Sequence, residues 1–343
     1  MDADLLENVS QYYGKTLSSN AELQTNACCI AGEVCLTKEE KQILSKIHPE
    51  IVKKFYGCGS PTPQGIEGKV ILDLGCGTGR DVYLASAKVG QSGKVIGVDM
   101  TEEQLNIANS HIDYHTKSFG LSNSNVEFRK GIIEDLKNSA GIEDNSIDCV
   151  ISNCVINLSS DKEKVFREVW RILKPGGEFY FSDVYSDRRI PDNLKNDKIL
   201  WGECLSGSLY IEDFRRIMGK VGFNYYYTVS RTPITINNKQ IETQVGEIKF
   251  FSITIKAYKI PELEDRCEDY GDEAIYQGTL GSGLENKFSF DCSHIFNTGE
   301  KIRVCRNFSL VLTKCPLYAS HFVIKMGACH KGLFESIQGI CAC

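Results

Sequence analysis

Continuous apolar runs alternate with segments of helical spacing through the middle of the chain. The apolar runs that predict strands are Lys69–Leu74, Lys94–Asp99, Asn125–Lys130, Ser146–Val155 and Glu178–Asp183. The segments that predict helices are Asp81–Lys88, Glu102–Phe119 and Lys162–Leu173. Because most of these strands are mainly apolar and they are separated by helices, they predict a parallel sheet that is covered on both faces.

The pattern changes after the fifth strand. Pro191–Val221 has helical spacing, whereas Tyr225–Ser230 and Phe250–Ala257 are rich in Tyr, Phe, Ile and Thr and predict two further strands. Pro261–Asp272 is acidic and turn-like, and it marks a domain boundary near residue 260. The segment 273–343 contains glycine turns, short strand-like runs and six cysteines.

Composition and charge narrow the class of protein. The 343 residues carry a net charge of −6, and this charge argues against a nucleic-acid partner because phosphate contact needs clustered Lys and Arg. The first ten residues are acidic and lack the apolar stretch of a signal peptide. No apolar run approaches the roughly 20 residues of a membrane helix. We therefore expect a cytoplasmic protein with no membrane partner.

A glycine turn follows the first predicted strand, with the sequence Asp73-Leu-Gly75-Cys-Gly77-Thr-Gly79. Its third glycine comes one residue earlier than in the dinucleotide-binding fingerprint, which argues against a pyrophosphate ligand. The preceding acid and the backbone donors suit a ligand with an amino-acid end. Asp99 ends the second strand, where a carboxylate can accept hydrogen bonds from both ribose hydroxyls. Glu134, just past the third strand, is predicted to flank an adenine.

The chain has fifteen cysteines but no Cys-x-x-Cys pair, so the sequence does not indicate a zinc ribbon or a thioredoxin-type site. Cys58, Cys154 and Cys204 lie in loops that the predicted fold brings to the ligand-binding edge of the sheet, with Cys28 as a fourth candidate. A cluster of reduced thiolates is suited to binding a soft, thiophilic ion. A trivalent metalloid takes three sulfurs and keeps a lone pair, whereas zinc requires four ligands.

The glycine turn, Val98-Asp99-Met100 and Leu173-Lys-Pro-Gly-Gly177 together resemble the class I S-adenosylmethionine-dependent methyltransferases. This resemblance implies an α/β fold with a doubly wound sheet of seven strands, of which the last hairpin is antiparallel. A small C-terminal domain would follow. The cofactor-binding residues that we predict are Asp73, Gly75, Gly77, Gly79, Asp99, Met100, Ile133, Glu134 and Asn153.

A closer resemblance, over about residues 8–258, is to the arsenite methyltransferases. It rests on Tyr12–Thr16, Thr25-Asn-Ala-Cys28, Tyr56-Gly-Cys58-Gly, Ser152-Asn-Cys154-Val-Ile-Asn157 and Trp201-Gly-Glu-Cys204-Leu205. It implies that Cys58, Cys154 and Cys204 hold As(III), and that Cys28 takes part in delivery or redox turnover. As(III)–thiol complexes would be the substrate, with thioredoxin or glutathione as reductant, in a monomer. The C-terminal region matches loosely, with Cys329, Cys341 and Cys343 in place of a cysteine-rich tail.

These expectations divide the chain into three parts. Residues 1–60 form an N-terminal arm and an arsenic-binding loop. Residues 61–260 form the S-adenosylmethionine-binding domain, including an arsenic-binding segment at 184–222, and residues 261–343 form a cysteine-rich C-terminal domain. Because a thiolate is the metalloid ligand, we also expect the pKa of the site cysteines to be lowered.

Two other functions fit part of the pattern. A methyltransferase for a small organic substrate, such as a sterol or a quinone, would leave the loop cysteines unexplained. A thiol protein that only sequesters a metalloid would have no use for an intact cofactor motif. Binding of S-adenosylmethionine with and without arsenite separates these alternatives.

Overall fold

The structure is a computed structural model that describes residues 36–55, 57–195, 197–280, 286–291 and 293–335. It begins with two short helices, α1 (Lys38–Leu44) and α2 (Pro49–Lys53). The Thr37 hydroxyl accepts from the Glu40 N–H, and the Glu40 carboxylate accepts from the Thr37 N–H, so a capping box starts α1. Helix α2 leads directly into the segment that carries Cys58.

The main sheet follows the predicted topology. Its strands are β1 (Val70–Leu74), β2 (Lys94–Asp99), β3 (Val126–Lys130), β4 (Ile147–Asn153), β5 (Leu173–Ser186), β6 (Leu209–Tyr210), β7 (Tyr226–Pro233) and β8 (Phe250–Tyr258). The order is β3-β2-β1-β4-β5-β8-β7, with the two-residue β6 beside β5. Strands β1 to β5 are parallel, and β8 is antiparallel to both β5 and β7. The predicted seven-stranded class I methyltransferase sheet with a final antiparallel hairpin is confirmed.

Helices cover the sheet. They are α3 (Arg80–Val89), α4 (Glu102–Ser110), α5 (Ile112–Ser118), α6 (Leu136–Ala140), α7 (Lys162–Ile172), α8 (Asp192–Lys195), α9 (Lys198–Gly202), α10 (Ile211–Val221) and α11 (Lys239–Val245). The single helix predicted over 102–119 is divided at His111, whose backbone has a φ of −108° and a ψ of 8°. The helical segment predicted over 191–221 is three helices with β6 between the last two.

The C-terminal part packs against the main sheet. Its elements are β9 (Asp272–Tyr276), β10 (Lys287–Ser289), β11 (Ile295–Asn297), β12 (Lys301–Val304), α12 (Arg306–Lys314) and β13 (Phe322–Lys325). Strands β12, β9 and β13 form an antiparallel sheet, and β10 pairs with β11. The sequence analysis did not predict α12. Phe290, Phe308 and Tyr318 share one apolar cluster with Tyr180 and Tyr258 of the main sheet. Because this core is continuous, the boundary at residue 260 stays a prediction.

The helices in the described ranges are all too short or too polar to cross a membrane.

Candidate functional site

A cleft opens at the carboxyl ends of β1, β2 and β4, where the glycine turn lies. Gly75, Gly77 and Gly79 have φ values of 63°, 52° and 89°, which favour glycine. A Cβ atom on Gly77 would meet no atom within 4 Å, so the cleft beside this backbone has room for a ligand. A Cβ atom on Gly79 would lie 2.8 Å from the Phe128 ring. Gly79 lies outside the cleft lining and serves the turn itself.

The floor of the cleft is acidic. Asp99 accepts hydrogen bonds from the Gly77 N–H at 2.9 Å and from the Thr101 N–H at 2.8 Å. Burial raises the pKa of Asp99. Burial, together with the negative charges of Asp81 and Asp99, holds the pKa of Asp73 well above its usual range. A cationic ligand would relieve this repulsion, and S-adenosylmethionine carries both a sulfonium and an ammonium group.

The cleft brings together most of the predicted cofactor residues. Its lining includes Asp73, Gly75, Gly77, Asp99, Met100, Ile133, Glu134 and Asn153, together with Cys154. Glu134 is buried and accepts a hydrogen bond from the Ser159 hydroxyl at 2.5 Å. The room beside Gly77 and the acidic floor fit S-adenosylmethionine.

Other residues that line the cleft were not predicted from the sequence. Lys54, Phe55 and Gln104 line the cleft but belong to no motif. Phe55 lies under the Arg80 guanidinium at 3.8 Å, and this stack places it at the cleft. The contact joins a segment before β1 to the start of α3, and no local sequence pattern signals it.

The three predicted loop cysteines converge beside this cleft. The Sγ atoms of Cys58 and Cys154 and a carboxylate oxygen of Asp183 all lie within 4.8 Å of one another. The Cys204 thiol donates to the Cys154 carbonyl at 3.4 Å. All three cysteines are buried. Because Cys154 also lines the cleft, the thiol cluster and the cleft share a wall.

Two of these cysteines have an unusual backbone conformation. Cys154 has a φ of 60° and Cys204 a φ of 59°, in the left-handed region that non-glycine residues rarely adopt. Such a conformation costs on the order of 1–3 kcal/mol and persists only where the surroundings enforce it. The Cys154 N–H donates to the Ser182 carbonyl at 2.8 Å, and the Cys204 N–H donates to the Trp201 carbonyl at 2.9 Å. The backbone strain is therefore located at the thiol cluster.

Asn153 joins the Cys58 loop to the cleft. Its Oδ1 accepts from the N–H groups of Cys58 at 3.0 Å and of Gly59 at 3.2 Å. Its Nδ2 donates to the Gly59 carbonyl at 2.9 Å and to the Asp81 carboxylate at 3.0 Å. The Ser252 hydroxyl donates to the Cys58 carbonyl at 2.6 Å from the other side. The loop is thus held between β4 and β8.

The electrostatics of the cluster correct one expectation. Burial raises the pKa of the Cys58 thiol, and the negative charge of Asp183 adds to this effect. Hydrogen bonding with Cys154 and Ser252 opposes it. The expected lowering of the pKa is therefore wrong for Cys58, because desolvation outweighs these hydrogen bonds. Without a guest, the structure favours the neutral thiol at this position.

The pKa values of two charged groups beside the cluster are also shifted. Burial raises the pKa of Asp183 to about 8, against the N–H donors of Val184 at 2.8 Å and Asn157 at 3.1 Å. Burial lowers the pKa of Lys162 to about 8. Lys162 donates to the Ser159 carbonyl at 2.9 Å. The sequence analysis singled out neither group as a site residue.

Several predicted residues lie outside the described ranges. They are Cys28 and its neighbour Cys29, the Tyr12–Thr16 motif, Tyr56, and the C-terminal Cys341 and Cys343. Cys329 is described and exposed. Cys76, Cys149, Cys267, Cys305 and Cys315 are buried away from the thiol cluster, all five of them in the apolar core that continues into the C-terminal part.

Comparisons with known proteins identify the family of the chain. A family model for a methyltransferase domain matches residues 66–222. The arsenite methyltransferase of Aquipseudomonas alcaligenes is 45% identical over 97% of this chain and 94% of its own length. The human arsenite methyltransferase is 40% identical over 94% of this chain and 84% of its own.

A solved structure gives the same result. The crystal structure of an arsenic(III) S-adenosylmethionine methyltransferase from Chlamydomonas reinhardtii superposes with a TM-score of 0.82 at 44% identity, covering 88% of this chain and all of that one. The alignment with the bacterial relative covers 334 residues and therefore extends beyond residues 8–258. The chain belongs to the arsenite methyltransferase family and has the class I S-adenosylmethionine-dependent methyltransferase fold.

Proposed function

We propose that this protein methylates trivalent arsenic with S-adenosylmethionine, and that Cys58, Cys154 and Cys204 hold the As(III). One observation carries the proposal: three buried cysteines from distant loops meet beside the cleft that contains the glycine turn. A methyltransferase for a sterol or a quinone has no need for this cluster. The relatives named above act on arsenite, as their names state.

The cleft residues have separate tasks in this proposal. Asp99 accepts from the ribose hydroxyls with the lone pairs that Gly77 and Thr101 leave free. The Asp73 carboxylate faces the cationic amino-acid end, and Glu134 flanks the adenine. Met100, Ile133 and Asn153 complete the contact surface. S-adenosylmethionine supplies an electrophilic methyl group on a sulfonium, whose leaving group is a neutral thioether.

As(III) enters as a complex with small thiols and exchanges onto the three cysteines. In each exchange an arsenic–sulfur bond to the small thiol breaks and one to a cysteine forms, while the cysteine proton passes to the departing sulfur. The raised pKa of Cys58 leaves the proton balance of this exchange unchanged, because the Cys58 proton is transferred to the departing sulfur as the new bond forms. Three sulfurs leave arsenic with a lone pair, which is the nucleophile.

No acid or base of the protein is required for the methyl transfer itself. The contribution of the chain is to hold arsenic in line with the methyl group, and positioning of this kind can supply roughly 7–11 kcal/mol. The left-handed backbone at Cys154 and Cys204 supports this role, because the surrounding structure must hold both residues in this strained conformation at the cluster.

Methylation formally raises arsenic to the pentavalent state, so turnover requires a thiol reductant, either thioredoxin or glutathione. We assign Cys28 to this step or to arsenic delivery, with external thiol reducing any disulfide that forms. The reaction then belongs in the cytoplasm, where thiols stay reduced, and it serves detoxification or biotransformation of arsenic. We further propose a monomer in which residues 1–60 and segment 184–222 carry the arsenic-binding loops and 261–343 is a C-terminal domain.

Product analysis over time tests the function directly, with purified protein, arsenite, S-adenosylmethionine and a thiol. Cys58→Ser, Cys154→Ser and Cys204→Ser are each measured on arsenite and on methylarsenite. A substrate that already carries a methyl has two sites left for sulfur. Because Cys154 lines the cleft, we assign Cys154 and Cys204 to both rounds and expect Cys58→Ser to keep methylarsenite activity only. Full arsenite activity in Cys154→Ser or Cys204→Ser would refute the three-thiolate mechanism.

Equilibrium binding separates the alternative functions. An organic-substrate methyltransferase binds S-adenosylmethionine and ignores arsenite. A sequestering protein binds arsenite and ignores the cofactor. Our proposal requires both ligands to bind.

A further inference from the structure

A second cavity, of about 260 Å³, lies between the main sheet and the C-terminal part. Its wall combines apolar surface with several hydroxyl groups. The lining comprises Gly59, Ser60, Thr62, Gln64, Tyr180, Val229, Ser230, Thr254, Lys256, Ser289, Phe290 and Asp291. The volume approaches that of a small-molecule site. The proposed methyl transfer does not use this space.

Lys256 places a buried cation on the cavity wall. It is 3% exposed, and its Nζ donates to the Phe290 carbonyl at 3.1 Å and the Tyr318 hydroxyl at 3.3 Å. An ammonium group has three N–H donors, so one is left over. Within the described chain, no carboxylate oxygen lies within 4.0 Å of this Nζ. The nearby Glu178 instead accepts from the hydroxyls of Tyr258 and Tyr318, both at 2.6 Å.

Such a group is costly to bury without a counter-ion. The ring faces of Phe290 and Tyr180, with centroids 4.4 and 4.8 Å from the Nζ, compensate in part. Burial lowers the pKa of Lys256, while the charges of Glu178 and Asp291 act in the opposite direction. A ligand carboxylate in the cavity would give the ammonium the partner it lacks.

Gln64 supplies a hydrogen-bond acceptor that lacks a donor. Its Oε1 is buried and has no hydrogen-bond partner among the described residues. The residues that line the cavity therefore include a buried cation with one N–H donor left over and an amide with an unmet acceptor. A molecule with a carboxylate and an amide or amino N–H satisfies both, and these are the groups of an amino acid or a short peptide.

The position of the cavity indicates what such a molecule does. Gly59 lines the cavity, and the preceding residue, Cys58, belongs to the thiol cluster. A Cβ atom on Gly59 would overlap the Ser182 hydroxyl and lie 3.1 Å from the Thr254 hydroxyl, so this segment lies tightly against the sheet. The second cavity and the proposed arsenic site are thus linked by two adjacent residues, Gly59 and Cys58.

We propose that the second cavity binds a small peptide thiol, with its carboxylate on Lys256 and an N–H on Gln64, as the carrier from which As(III) passes to Cys58. This inference rests on the proposed function. In the exchange, an arsenic–sulfur bond to the carrier breaks and one to Cys58 forms. The Cys58 proton passes to the carrier sulfur, and no electrons are transferred.

The test measures binding of S-methylglutathione to the full-length protein by isothermal titration calorimetry, without arsenic. This probe keeps the carboxylates and amides but cannot exchange with arsenic or reduce it. Lys256→Met removes the charge and keeps a chain that packs among the rings. We expect it to weaken binding at least about tenfold, the loss typical of a charge-assisted contact. Ser230→Leu, which narrows the cavity from β7, should also weaken binding, whereas Thr228→Leu on the same strand lies outside the lining.

Ser230→Leu and Thr228→Leu should both bind S-adenosylmethionine as the wild type does, which controls for folding. Absence of S-methylglutathione binding to the wild-type protein would overturn the inference. Equal affinity for inorganic phosphate would also overturn it, since the cavity would then be a general anion site. Arsenite methylation supported by dithiothreitol is measured in parallel. If the protein methylates arsenite but does not bind S-methylglutathione, this inference is wrong and the proposed function stands. If the protein does not methylate arsenite with any thiol, the proposed function is wrong.

Discussion

Replacing Asn153 by alanine should release the Cys58 loop from the cleft. The side chain makes four hydrogen bonds, two to backbone N–H groups, one to a carbonyl and one to the Asp81 carboxylate. A neutral buried bond contributes about 0.5–1.5 kcal/mol and one to a charged group about 1.5–3 kcal/mol. The sum is roughly 3–7.5 kcal/mol as an upper bound, because the bonds share partners and do not add fully. Most of this loss falls on the loop, which Asn153 joins to the end of β4.

The assay is As(III) binding, followed by tryptophan or tyrosine fluorescence, beside the free energy of unfolding in urea. We expect the affinity of Asn153→Ala for arsenite to fall at least about tenfold, because Cys58 no longer lies at the cluster. Asn153→Asp keeps the acceptor for Cys58 and Gly59 but loses both donated bonds and places a negative charge beside Asp81. It should bind arsenite better than Asn153→Ala and S-adenosylmethionine worse than the wild type.

Asn125 supplies a matched control. It is a buried asparagine that bonds to Ser86 and to the Gly90 carbonyl, at the amino end of β3 and away from the cleft. Asn125→Ala should lose a comparable amount of stability, about 2–4 kcal/mol, and keep its arsenite affinity. If Asn153→Ala binds arsenite as tightly as Asn125→Ala does, the positioning role of Asn153 is refuted.

Three other changes have defined outcomes. Asp99→Ala should weaken S-adenosylmethionine binding by about 1.5–3 kcal/mol, and an unchanged affinity by calorimetry would contradict the ribose assignment. The pKa of Asp183 is about 8 in the folded protein against an ordinary value of 3.8, so the folded state loses stability as pH rises between these values. Asp183→Asn should therefore gain stability relative to wild type, by up to a few kcal/mol between pH 6 and 9 in urea unfolding, and parallel pH curves would disprove the shift. Removal of Cys341–Cys343 should leave single-turnover methylation intact, and loss of the first methylation in the truncated protein would show that the tail is required.

The carboxyl-edge rule for parallel sheets was sufficient to predict where the site lies. Asp73, Asp99 and Cys154 each lie within one residue of the carboxyl end of a strand, so the topology alone brings them to one edge. The turn glycines were predictable for the same reason, since their positive φ depends on local geometry. These features are set by residues close together in sequence.

Features that depend on distant contacts were not predictable. The Ser252 hydroxyl that holds the Cys58 carbonyl is 194 positions away, and no local pattern marks the pair. The direction of the Cys58 pKa shift was predicted wrongly because chemistry indicates a thiolate, whereas the structure buries the thiol beside Asp183. The break at His111 and the three helices in the predicted 191–221 segment depend on packing that apolar spacing does not encode.

X-ray absorption at the arsenic edge measures directly whether three protein sulfurs hold As(III). The protein is loaded with one equivalent of arsenite and freed of small thiols. We expect the arsenic in the wild-type protein to have three sulfur neighbours and no oxygen neighbour. We expect two sulfurs in Cys154→Ser, and loss of tight arsenic binding when Cys58, Cys154 and Cys204 are all replaced by serine. Oxygen ligands in the wild type, or an unchanged three-sulfur shell in the triple variant, would contradict the three-thiolate mechanism.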